Sequence, residues 1–295
     1  MSEMATHNQT QVIEYLHSLN VDDLPSGDHT LSFAVATNAI GQWQQLPVRV
    51  FKGRNEGKKV VITAGVHGDE QNGIMTAMKV AQRLVEQDIV GCVTIVPTIN
   101  LSGILNHSRN FFPVDPDTSP SNLNRFFPGN VEGNEVERYL GTLWNNLLLP
   151  NADIAIDLHT QTSGTCYPLY IFADYRVEKA KQMAALMNAD VVLNDPGEKG
   201  VLETAWNTHG VPSITVEVGA GRYFERELVE RATQGVINIL TAEGVIEGEV
   251  SKLNSPLEEY HGYVEAFDKS MKQLNGASLT VEQYRYDYHS LLTDY

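Results

Sequence analysis

Residues 59–66, Lys-Val-Val-Ile-Thr-Ala-Gly-Val, form a nearly continuous apolar run that gives way at once to His-Gly-Asp-Glu at 67–70. A run without alternation suits a central strand covered on both faces, the habit of parallel sheets in α/β proteins. Ile74, Met75, Met78, Ala81, Leu84 and Val85 then recur at helical spacing over residues 72–86, and residues 92–97 repeat the buried-strand pattern. This strand–helix–strand rhythm continues along the chain. Strands are predicted at 152–158, 168–172, 190–193 and 213–218, and helices at 136–149, 177–187, 202–208 and 225–240.

Residues 31–52 differ in character. Apolar and polar residues alternate there, which predicts an antiparallel hairpin or meander ahead of the parallel core. A short helical pattern lies at 12–19. The fold class expected is therefore α/β, with a mostly parallel, mixed central sheet. Residues 1–34 read as a polar N-terminal segment, 35–244 as the catalytic domain, and 245–295 as a polar C-terminal appendage. That appendage is either a small extra lobe or part of a shortened second domain.

Composition narrows the function classes. An apolar fraction of 42% in 295 residues supports a sizeable core without disulfides or a structural metal. A metal site in such a chain points to catalysis. The formal charge of −16 argues against nucleic acid and anionic membranes as partners. The two cysteines, Cys92 and Cys166, read as reduced thiols. Residues 1–15 lack an apolar signal-like stretch, and no run approaches about 18 apolar residues, so the cytoplasm is expected. A homo-oligomer is compatible with the sequence, which does not specify one.

The chemistry gathers at predicted strand ends, where parallel sheets place ligand sites. His67 and Glu70 stand three apart in a turn after the first buried strand, and Gly68 allows the backbone to bend beneath them. His159 ends a second strand, Ile-Ala-Ile-Asp-Leu-His at 154–159. Asp157, two residues earlier, points to the same side and can orient either histidine. Two His and one Glu form a zinc set that leaves a position for water. Glu217 interrupts a third buried strand, so it is paired, protonated or turned to a polar cleft. Beside activated water it would act as general base and then acid. Residues 100–135 form a long loop rich in Asn, Ser, Pro, Gly and Phe. It carries Arg109 and the pair Asn124-Arg125, cations suited to a carboxylate or an oxyanion. Arg222 is a weaker candidate of the same kind.

The combination His67-x-x-Glu70, Asn124-Arg125-x-Phe-Pro-Gly129, Asp157-x-His159 and Glu217 within Val-Glu-Val-Gly resembles the succinylglutamate desuccinylase/aspartoacylase family, a branch of the zinc carboxypeptidase superfamily. The resemblance implies a carboxypeptidase-like three-layer α/β/α fold and one Zn2+ per chain on His67, Glu70 and His159. It implies an amidohydrolase that cleaves the amide of a small anionic N-acyl amino acid. Glu217 would be the general base and acid, Arg109 would polarise the scissile carbonyl, and Asn124 and Arg125 would hold a substrate carboxylate. Two features depart from aspartoacylases proper. Residues 206–211 contain no Arg shortly before Glu217, and the loop between Arg109 and Arg125 is longer and richer in Phe and Pro. Specificity for N-acetylaspartate is therefore not implied. The alternatives are a zinc carboxypeptidase acting on peptides or peptidoglycan fragments, and a catalytically silent binding protein. The intact Glu217 stands against the latter.

Overall fold

The computed structural model describes residues 15–251 except Thr165. Its centre is built from the apolar runs. β3 (Asn55–Ala64), β4 (Val90–Val96), β5 (Ile154–Gln161) and β8 (Ser213–Ala220) lie side by side in parallel, in the order β4-β3-β5-β8. The alternating segment forms the expected hairpin, β1 (Gly27–Thr37) with β2 (Trp43–Lys52), which joins β4 antiparallel. On the far side, β6 (Leu169–Ala173) pairs antiparallel with β8 and parallel with β7 (Val191–Asn194). The result is one mixed sheet of eight strands.

Both faces are covered, which is why the central strands do not alternate. Val60, Ile62, Ile156 and Val216 pack against α1 (Gln71–Leu84), α4 (Glu178–Leu186) and α6 (Arg226–Ala242). Val61 and Ala155 pack on the other face with α3 (Glu135–Leu143), α5 (Leu202–Thr208) and Leu19 and Val21. This is the expected α/β/α layering. Since successive strand residues point to opposite faces, Thr63, Asp157, His159 and Glu217 share the α3/α5 face.

Three expectations need correction. Residues 15–19 are not helical (12–14 lie outside the described residues). Leu16 exchanges hydrogen bonds with Ser32 and Ala34 on the edge of β1, a long-range pairing that outweighs local spacing. The helix expected over 136–149 changes pitch after Leu143, passing through a π-helical turn at Trp144–Leu148 into a 3-10 turn at Leu149–Asn151. Within the loop at 100–135 lie a short helix, α2 (Leu101–Leu105), and a 3-10 turn at Leu123–Arg125. The divisions expected at 34/35 and 244/245 also fall within packed structure. The first lies inside β1, and just beyond the second Val245 and Ile246 are buried in the core. Of the C-terminal appendage only residues 245–251 are described. Among the described residues no helix is long and apolar enough to cross a membrane.

Candidate metal centre

The chain leaves β3 through Gly65, whose φ of +66° suits glycine. Gly68 serves differently from the expected bend. A Cβ there would stand 2.1 Å from the Gly103 carbonyl carbon, so the missing side chain lets the ligand loop lie on the backbone of α2. Asn100 caps α2 by accepting from Gly103 N, and its amide donates to the Arg109 carbonyl. The loop carrying His67 and the segment carrying Arg109 are thus braced on the same short helix.

His67, Glu70 and His159 converge, each 2% exposed or less. His67 Nδ1 is 2.7 Å from Glu70 Oε1, His159 Nδ1 is 2.8 Å from Glu70 Oε2, and the two Nδ1 atoms are 3.2 Å apart. The outer nitrogens decide the tautomers. His67 Nε2 donates to Asn122 Oδ1 at 2.9 Å, an oxygen identified by its acceptance of Asn124 N. His159 Nε2 donates to Asp157 Oδ2 at 2.6 Å, and Asp157 Oδ1 accepts from Thr63 Oγ1 at 2.6 Å. With a proton on each Nε2, both Nδ1 atoms are turned inward beside the Glu70 carboxylate. These three ligand atoms lie close enough together to hold one metal ion between them. Two imidazoles and one carboxylate are a donor set that suits zinc, whose tetrahedral ligand atoms stand about 3.3 Å apart.

The electrostatics reflect the same crowding. Burial pushes His67 down, with Arg109 and His159 adding to it and Glu70 opposing. Burial also opposes charge on His159, yet Asp157 and Glu70 hold its pKa well above the usual value. Glu70 is held well below the carboxylate range, against its burial, by His67 and His159.

Glu217 lies on β8 directly beside His159 on β5 and is 7% exposed. Burial raises its carboxyl to about 8; His159 opposes the rise and Glu70 adds to it. Its Oε2 is buried without a hydrogen-bond partner among the described residues. Arg109 is one-third exposed and donates to Glu70 Oε1 at 2.6 Å, so it is tied to a ligand carboxylate. Asn124 is buried, and its Oδ1 accepts from Leu202 N at the start of α5. Arg125 is exposed, donates to the Asn124 carbonyl, and among the described residues forms no ion pair. Arg222 pairs with Asp69. Sequence reasoning missed Asn122, though it opens the segment that holds Asn124 and Arg125.

Fold and centre together define an α/β protein able to hold a metal ion where three parallel strands end. The chain belongs to the succinylglutamate desuccinylase/aspartoacylase family, whose catalytic-domain model matches residues 56–242. It is 30% identical over 220 residues to the N-alpha-acetyl-L-2,4-diaminobutyric acid deacetylase of Halomonas elongata, covering 72% of this chain and 62% of that protein. The chain therefore spans less than two thirds of that relative's length. The product-bound ectoine utilization protein EutE (DoeB) of Ruegeria pomeroyi has the same fold, with a TM-score of 0.68 at 25% identity over 79% of this chain and 73% of that one. A succinylglutamate desuccinylase/aspartoacylase of Rhodobacter sphaeroides matches with a TM-score of 0.65 at 25% identity, over 78% and 70% of the two chains. The activities named are deacetylation and desuccinylation, amide hydrolyses of the class expected from the sequence.

Proposed function

We propose that this protein is a zinc-dependent amidohydrolase that removes the acyl group of a small N-acyl amino acid. The observation that carries the reading is the inward convergence of the ligand atoms of His67, Glu70 and His159, with Glu217 in register beside them. Zinc held there would supply Lewis-acid polarisation of the amide carbonyl and a lowered pKa for water.

Glu217 has one buried carboxylate oxygen without a partner among the described residues, which suits it to take a proton from water and return it to the leaving nitrogen. Arg109 uses one N–H on Glu70 and has others for the developing oxyanion. The Asn124 NH2 group and the Arg125 guanidinium would hold the substrate carboxylate. The deacetylase relative makes N-acetyl-L-2,4-diaminobutyrate the first substrate to try.

The test is metal analysis followed by hydrolysis of a panel: N-acetyl-L-2,4-diaminobutyrate, N-acetylaspartate, N-succinylglutamate and short peptides. The expected result is one zinc per chain, lost in His67→Ala, and release of free amino acid from an N-acyl substrate. Glu217→Gln should keep the zinc and lose about 100-fold or more in kcat. Hydrolysis of peptides alone would replace this reading with the carboxypeptidase one, and a wild-type protein that takes up no divalent metal would end both.

A further inference from the structure

Asp69 stands between His67 and Glu70, so the ligand loop carries a carboxylate that the metal set does not use. Its side chain is 12% exposed. An unpaired anion here would lie next to Glu70 in the ligand loop, at a centre expected to admit an anionic substrate. Arg222 answers it. Its Nε donates to Asp69 Oδ2 at 3.2 Å and its backbone N–H to the Asp69 carbonyl at 3.0 Å.

The reach of this residue is wider than one ion pair. Nη2 of Arg222 donates to the His107 carbonyl at 3.3 Å, two residues before Arg109. Gly221 N donates to Gln161 O at the end of β5, just past His159. Arg222 itself follows β8, the strand of Glu217, and holds φ +65°, a left-handed conformation unusual for a residue with a side chain. One turn thus ties together the four segments that supply the centre.

We propose that Arg222 is a positioning residue that sets substrate charge preference. It masks Asp69 and holds the ligand loop against the Arg109 segment, so that Arg109 and Arg125 dominate the field met by the substrate's carboxylate. The proposal rests on the deacylase reading for its substrate class, an N-acyl amino acid with a free carboxylate. The Asp69 side chain is largely buried, so its charge is little screened on the protein side and its masking matters in binding.

The experiment compares wild type, Arg222→Gln, Arg222→Gly, Asp69→Asn and the Asp69→Asn/Arg222→Gln double variant, each loaded with zinc. Arg222→Gly keeps the left-handed turn and the backbone bond to Asp69, which separates loss of the side chain from misfolding. Arg222→Gln and Arg222→Gly should raise KM for the hydrolysed N-acyl amino acid on the order of tenfold, with kcat changed by less than about threefold. The double variant should return KM to within about threefold of wild type, because the exposed charge is gone. A clamp without an electrostatic role would lower kcat with KM and would not be rescued by Asp69→Asn; that outcome, or an unchanged KM in Arg222→Gln, overturns the proposal.

Calorimetric titration with succinate, a dicarboxylate that offers no amide to cleave, gives a readout independent of turnover. Weakening in Arg222→Gln and recovery in the double variant support the role of Arg222 even if no N-acyl amino acid is hydrolysed. Equal succinate affinities across the series overturn it even if deacylation is found.

Discussion

Replacing Asn122 by alanine would leave His67 Nε2 without its acceptor. The imidazole could then turn or change tautomer, and Nδ1 would no longer be held as a lone pair toward the centre. Zinc affinity should fall by about 10- to 100-fold, measured by competition with a chelator of known strength. Wild-type affinity in Asn122→Ala would show that His67 is fixed by its loop alone. The residue scale also shows what spacing can reveal. His67, Glu70, His159 and Glu217 were legible because each polar side chain sits at the end of, or inside, a run whose other members are apolar. The strand period left two partners for Asp157, and the structure gives it to His159. Asn122 was hidden because its partner lies 55 residues away, and an asparagine opening a turn already has a local role.

At the scale of elements, β5 and β8 place His159 and Glu217 in register, while the loop after β3 places His67 and Glu70. A methyl group on Gly68 would overlap the backbone of α2, so Gly68→Ala must push the ligand loop and α2 apart. Overpacking of this kind is expected to destabilise by about 1–3 kcal/mol. Both the melting temperature of the metal-free protein and its zinc affinity should fall. A drop in one without the other would separate the loop's packing from its ligand geometry. Strands and helices were legible where the pattern was local: α5 lies where the helical spacing of 202–208 places it. Patterns failed where a distant partner decided the outcome. Leu16 and Leu19 have helical spacing, but the edge of β1 offered Leu16 its hydrogen bonds, and the Asn151 side chain caps the Leu19 carbonyl. Alternation is silent about such pairings, since it records which face a residue buries and not what its backbone meets.

Folding stability of the whole molecule should carry the mark of one buried acid outside the centre. Glu203, on α5, is 2% exposed and accepts from Asn207 Nδ2 at 3.2 Å. Burial, with repulsion from Asp195 added, raises its carboxyl to about 8 from an ordinary 4.5. The folded protein therefore holds this proton where the unfolded chain has released it. The neutral acid's stabilising contribution is complete below about pH 4.5 and declines as pH rises toward 8. Glutamine keeps the acceptor for Asn207 and has no proton to lose. Against pH 5, Glu203→Gln should thus gain on wild type at pH 8 by about 1–3 kcal/mol, or roughly 3–10 °C in melting temperature. The protein carries a formal charge of −16, and its self-repulsion also varies with pH, so the quantity to compare is the difference between variant and wild type at each pH. Thermal melts of the metal-free proteins at the two pH values decide it. An equal difference at both would mean that Glu203 is charged throughout, and that Asn207 and neighbouring backbone dipoles hold the carboxylate without a proton.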